Sequence, residues 1–312
     1  LIGHTIRNIP RVFDRYMLPK VAFAVITGAS MAGTILTGLR QGENGWLLLV
    51  LKWAAWWALA ALGGAELWKI AYLRPSVRLR PVQGAVEYAE AMMRLHVRWQ
   101  QVLGPAAALF AGIVLTYYAV AHTAARPWAA AAGLGLALAL AGMVSSWRRV
   151  PHPLQHDGAA LVTLFGLATA LAAMAGLDVL LQDSRPLWLL APTRMLHLLA
   201  FAAWLGGALW NIFVAVPAGL QRIHMDTVIL ANFQLERFRL VVRAVFPTIV
   251  VTGLVQAWAM FGWAWQTLFT SVWGWLLLTK IGLIVLLVGI FITCPMWKAC
   301  SPIRGVCDLD DL

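Results

Sequence analysis

The chain has 312 residues, 61% of them hydrophobic and only 12% charged, with a mean hydropathy of +0.76. No soluble fold hides that much apolar surface, so the bilayer is the solvent and a pair of soluble domains is excluded. The net charge of +11 does not point to nucleic acid, because the basic residues gather in particular loops, as membrane orientation requires.

A spanning helix needs about 20 mostly apolar residues. Eight segments qualify: 18–39, 46–72, 97–121, 128–147, 159–181, 190–218, 240–263 and 272–294. The sequence therefore predicts an all-α, polytopic membrane protein built as an eight-helix bundle. Its first residue is Leu1, which leaves a removed leader open at this point.

A basic tail with His4, Arg7, Arg11, Arg15 and Lys20 leads into the first span, and Met31 falls near that span's middle. The second span is long enough to tilt and carries Glu66 and Lys69 three residues apart, a spacing that lets them pair. The basic loop "RPSVRLRPVQ" follows. His96 lies beside arginines at the inner edge of the third span and reads as a surface residue, with a second haem as its other use. Met92 and Met93 lie nearby, and His122 ends the span on the outer side.

The fourth span, "AAAAGLGLALALAGM", ending at Met143, is dense in small residues that let helices approach closely. Between it and the fifth, "RRVPHPLQHD" spaces His152 and His156 at i,i+4, but Pro151 and Pro153 favour a loop. The fifth span holds Met174 and Asp178, with Asp183 just beyond. Residues 219–239, with His224, read as a short surface helix. Thr252 and Gln256 give the seventh span one polar stripe, and Lys280 is buried in the eighth, where it either snorkels outward or pairs with Asp178 or Asp183. Cys294, Cys300 and Cys307 form no CxxC and read as free thiols.

Alternate loops differ sharply in Lys and Arg. One side collects Arg74, Arg78, Arg80, Arg148, Arg149, Arg222, Arg237, Arg239, Lys298 and Arg304 besides the tail. The other has little beyond Arg40, Arg126 and Arg185. Positive charge stays inside, which places both termini in the cytoplasm.

The sixth span contains "TRMLHLLAFAAWLGGALW". An ionisable side chain at the bilayer centre costs about 2.5–3.5 kcal/mol, so one found there is a functional candidate. His197 lies roughly 10 Å inside the outer edge at helical rise. It reads either as a core histidine bonded to a neighbouring carbonyl or as a metal or haem ligand. His122 is its candidate partner on the same side. Met174, Met195 and Met260, all in outer portions of their spans, are candidate soft ligands for Cu(I). Arg194 is placed to hold a phospholipid, a carboxylate or a haem propionate. No GxSxG, HExxH or phosphate loop is present, so hydrolysis is not indicated and the chain reads as no enzyme by itself.

Two stretches resemble a known family. "RMLHLLAFAAWLGGALW" is similar to the histidine-plus-WLGG span of the copper-resistance protein D (CopD) family. Arg237 to Ile290 resembles that family's C-terminal part, with an arginine-phenylalanine start, "TGL" followed by "AW", and "GWLLLTK". The likeness covers about residues 190–292 and puts His197, Trp204, Gly206, Gly207 and Lys280 on motif positions. It implies a bacterial inner-membrane protein of copper uptake or resistance that works with a periplasmic copper-binding partner. The ending "FITCPMWKACSPIRGVCDLDDL" departs from the arginine-rich turn common in the family, and no fused periplasmic copper domain is visible.

Three functions follow as expectations. The first is copper handling at an outer-facing site around His197. The second is a haem-b electron-transfer subunit of a redox complex, with His197, His122 and Arg194 about the haem. The third is a metal-free structural subunit. The expected division is an N-terminal five-helix part, 1–189, a CopD-like part, 190–294, and a cytoplasmic tail, 295–312.

Overall fold

The computed structural model describes residues 17–43, 45–79, 83–148, 152–155, 157–182, 186–221, 225–262 and 266–293. The expected roles of His4, His156, Asp183, His224, Cys294, Cys300 and Cys307 fall outside these residues.

Every element among the described residues is helical. α1 (Met17–Arg40) turns at Gly42, whose φ of 79° suits a residue without a Cβ, into α2 (Trp46–Trp68). A π-helical turn, Lys69–Leu73, joins α2 to the short α3 (Arg74–Leu79). α4 (Gln83–Ala121), α5 (Arg126–Arg148), α6 (Gly158–Leu181) and α7 (Leu187–Trp210) follow. A second π turn, Asn211–Ala215, leads to α8 (Val216–Gln221), then come α9 (Met225–Phe261), α10 (Gln266–Thr270) and α11 (Val272–Thr293). Eight of the helical stretches are long and apolar enough to cross a membrane, one for each predicted span. The protein is a multi-pass membrane protein.

Surface and interior are exchanged relative to a water-soluble fold. Val102, Val120 and Trp188 are about three-quarters exposed, while Lys52, Glu66, Lys69 and Asp178 are almost wholly buried. Hydrocarbon accepts the first set freely, whereas the charges must find partners inside the bundle.

α2 stands at the centre and packs against α1, α4, α6 and α7. α9 covers α7 and α4, α5 lies along α6 and α4, and α11 rests on α1. Helices of the 190–294 segment thus pack directly on helices of the 1–189 segment. Glycine sets the closest approaches. A methyl group on Gly64 or Gly206 would run into the backbone of the opposite helix, and one on Gly207 would enter the Trp68 indole. The Trp68 Nε1–H donates to the Ala203 carbonyl at 3.0 Å, tying α2 to α7 at that crossing. Gly135 on α5 and Gly166 on α6 make a second crossing of the same kind. The "WLGG" pair therefore builds a helix contact, since close backbone packing replaces the hydrophobic drive that lipid cannot supply.

Two helices extend beyond the predicted spans. α4 begins at Gln83 rather than near residue 97, and runs roughly 58 Å at helical rise. Its first turns are amphipathic: Ala85, Tyr88, Ala89, Met92, Met93 and His96 are buried on one stripe. Glu87, Glu90 and Arg94 lie off that stripe and lower the hydropathy of the segment. Residues 225–239, expected as part of a separate surface helix, are instead the first turns of the continuous α9.

Candidate functional site

Two polar clusters lie at opposite ends of α2, Lys52 in one and Glu66 in the other, roughly 21 Å apart at helical rise. The first occupies the end that the charge asymmetry predicts to face outward. Lys52 Nζ lies 3.1 Å from Asp178 Oδ1 and 3.2 Å from Glu43 Oε1, donates to Gln41 Oε1, and sits over the Tyr118 ring. The Tyr118 hydroxyl donates to Glu43. Arg194 donates to Asp178 Oδ2 at 2.9 Å, Gln256 Oε1 at 3.0 Å and Thr37 Oγ1 at 3.4 Å. It thereby joins α7 to α6, α9 and α1. The expected pairing of Lys280 with Asp178 is overturned, because both carboxylate oxygens already serve Lys52 and Arg194.

His197 lies next to this cluster on α7, ten residues past Leu187 and so about 15 Å along the helix. Its Nδ1 is 2.9 Å from Thr252 Oγ1 on α9. The Thr252 hydroxyl has one proton, and the Thr248 carbonyl 2.5 Å away takes it. Thr252 is therefore the acceptor, and Nδ1 carries the imidazole proton. The Ile249 backbone carbonyl also accepts a hydrogen bond from the imidazole. Across the ring, Gly253 leaves room: a Cβ there would stand 3.5 Å from Cε1.

His197, Arg194 and Lys280 line one cavity of about 90 Å³. Trp53, Trp56, Trp57 and Trp204 supply most of its aromatic wall, with Ser30 and Thr34 as small polar groups. Lys280 reaches in from α11 across Gly33, where a Cβ would come within 3.1 Å of Nζ. This ammonium has no carboxylate or hydrogen-bond partner among the described residues. The cavity thus offers one imidazole, one guanidinium neutralised by Asp178 and one ammonium without a counter-charge among the described residues.

The other predicted site residues lie elsewhere. His122 is exposed just past α4, with its ring 6.5 Å from that of Tyr118, and does not line the cavity. Met174 is buried in the apolar core, Met195 packs against that core, and Met260 is half-buried; none of them reaches the cavity wall. Met195 is two residues from His197, which turns it to another face of α7. Among the described residues no three His, Cys, Asp or Glu side chains converge as a metal cluster. Sequence reasoning missed Lys52, Glu43 and Tyr118. Lys52 was open to discovery as a lone cation inside the apolar run "WLLLVLKWAAWWALAAL".

The second cluster corrects the surface reading of His96, which is fully buried. Its Nε2 meets Glu66 Oε2 at 2.8 Å, and Gln100 donates to the same oxygen at 2.8 Å. Glu66 pairs with Lys69 as the i,i+3 spacing predicts. Lys69 also lies 3.5 Å from Asp157, which receives Arg74 at 3.0 Å and caps α6 through Ala160 N–H at 3.0 Å. Trp210, with its ring 5.3 Å from that of His96, closes the site. This network locks α2, α4 and α6 together and leaves no space at the imidazole for a second haem.

No curated protein and no solved structure matches the chain. The family model described as Copper resistance protein D matches residues 234–299, which include Thr252, Gly253 and Lys280 but not His197. Ile249, Lys280, Ile284 and Leu287 of the cavity wall come from this stretch, which is similar to the Copper resistance protein D family.

Proposed function

We propose that this protein handles copper in the bacterial inner membrane, accepting Cu(I) at His197 from the outward end of the bundle. A periplasmic copper-binding protein is the donor or acceptor on that side. The observation that carries this reading is the fixed imidazole. Nδ1 lies 2.9 Å from Thr252 Oγ1, and the ring lines a cavity whose other walls include Lys280, Ile284 and Leu287 of the matched stretch. Metal-binding histidines characteristically donate their second ring N–H in this way, which sets both tautomer and orientation.

Haem fits poorly. The cavity brings no second histidine to His197, and ligand pockets of cofactor size run to about 300–1,000 Å³, several times this volume. A ladder of methionines is absent from the site as well, so His197 is the one soft-metal ligand the cavity wall provides among the described residues.

Anaerobic Cu(I) titration of the full chain in lipid nanodiscs, against a competing chelator, tests the reading. One equivalent should bind, and His197→Ala should weaken it by at least about tenfold, whereas His122→Ala should leave it unchanged. Equal Cu(I) affinity in wild type and His197→Ala, with both proteins folded, would overturn the proposal.

A further inference from the structure

We infer that this cavity binds a monovalent oxyanion, a carboxylate or a phosphodiester, held by the Lys280 ammonium and by N–H groups of the tryptophan wall. No metal takes part: every group used is a cation or a neutral donor, so the copper reading above is not needed for it. Two independent features of the cavity point to such a ligand.

The first is charge. Glu43 and Asp178 face Lys52 and Arg194, so those four charges cancel. Lys280 enters from α11, eight residues past Val272 and so roughly 12 Å along that helix. It crosses Gly33 of α1 and has no carboxylate or hydrogen-bond partner among the described residues. A cation that deep in a span lacks bulk water, and burial without a counter-charge is costly. One negative charge in the cavity balances it, whereas a divalent anion would overshoot.

The second is a surplus of donors. Trp56 Nε1, Trp57 Nε1 and Arg194 Nε are buried N–H groups with no acceptor among the described residues, and all three side chains line the cavity. Trp56 is only 6% exposed. The hydroxyls of the wall do not relieve them. Ser30 Oγ accepts from Trp53 Nε1 at 3.0 Å and donates to the Thr27 carbonyl, and Thr34 Oγ1 donates to the Ser30 carbonyl at 3.1 Å. The imidazole is engaged by Thr252 and Ile249. Unpaired buried donors are expensive, so the cavity favours a ligand with more than one acceptor atom. A carboxylate or phosphodiester presents two charged oxygens, whereas a halide offers the charge from a single atom. The volume of about 90 Å³ admits a head of that size, and Phe201, Ile284 and Leu287 suit an apolar body behind it. The ligand comes either from solution as a free carboxylate or from the surrounding leaflet as the head of an acidic lipid.

The test uses the full chain, copper-free, in maltoside micelles, which carry no phosphate or carboxylate. In one arm formate or benzoate replaces chloride at constant ionic strength. In the other, oleate or phosphatidylglycerol is added to the micelles. Thermal unfolding follows both arms, and native mass spectrometry counts bound lipid. At least one arm should give saturable one-to-one binding that raises the Tm of wild type, while the uncharged benzamide and methyl oleate should not bind. Binding of formate or benzoate alone assigns a free carboxylate, and binding of the lipids alone assigns an acidic headgroup. Lys280→Met should weaken binding by at least about tenfold, and Lys280→Arg should keep most of the affinity. Without added oxyanion Lys280→Met should also unfold at a higher temperature than wild type, because it removes an uncompensated charge. Trp56→Phe, which keeps a ring but loses the N–H, should weaken binding by roughly threefold to tenfold. Absence of one-to-one binding in both arms overturns the inference, as does equal binding of the uncharged analogues or wild-type affinity in Lys280→Met. If Lys280→Met does not fold, the wild-type comparison of charged and uncharged ligands decides. Failure of the copper reading shows separately, in the Cu(I) titration of His197→Ala.

Discussion

Thr252 decides what His197 can do. An imidazole free to rotate would offer either nitrogen, but a threonine whose own proton is spent on the Thr248 carbonyl accepts only from Nδ1–H. Thr252→Val removes that acceptor and keeps the shape. It should therefore lower Cu(I) affinity by roughly 10–100-fold, the range seen when partners of metal-binding histidines are lost. Thr252→Ser, which restores the hydroxyl, should recover most of it. The pair separates positioning from packing, because the valine fills the site as well as threonine does. His197 and Lys280 were legible as residues, since a charge or imidazole in a lipid-length apolar run needs a reason. Their partners were not. Whether Lys280 meets Asp178 or an empty cavity depends on how α6 and α11 are arranged around α1 and α2, and no spacing within one helix carries that information.

Between helices, glycine does the work that apolar side chains do in water. At the α2–α7 crossing neither Gly64 nor Gly206 has room for a Cβ against the other's backbone. Gly206→Ala should therefore force the helices apart and lower stability by about 1–3 kcal/mol, the usual cost of overpacking. Gly112→Ala and Gly133→Ala, where nothing lies within 4 Å of the added carbon, should be neutral or mildly stabilising, since alanine is the better helix former. Thermal or denaturant unfolding of the three variants in one detergent checks the contrast. Span positions were readable from hydropathy, whereas the true ends of α4 and α9 were not. Their outer turns keep only one apolar stripe, which an averaged window dilutes with Glu87, Glu90 and Arg94. That extension also puts His96 inside the protein instead of at the headgroups.

On the scale of the whole molecule, a charged network at each end clamps the bundle while the middle of α2 is small and apolar. Lys52, Asp178 and Arg194 link α1, α2, α6, α7 and α9, and Glu66, His96 and Asp157 link α2, α4 and α6. The asymmetry of loop charge predicts that the His197 end faces outside. Single cysteines in a background lacking Cys294, Cys300 and Cys307 test it. Thr123→Cys, exposed after α4, should react with an impermeant maleimide added to intact cells. Gln155→Cys, exposed before α6, should react only after lysis. The reverse pattern would put the His197 cavity on the cytoplasmic side.

What the sequence determined by itself was the solvent, the number of crossings, the expected orientation and which residues pay to be in the membrane. Those follow from transfer free energy summed along a single helix, a local quantity. Only the tertiary structure decided that Thr252 meets His197, that Lys280 shares one cavity with it, that Asp178 belongs to Lys52 and Arg194, that His96 is sealed against Glu66, and that the methionines stand apart. Such pairings are set by which helices cross, and the crossings turn on a few glycine contacts between different spans, which no periodicity within one span encodes.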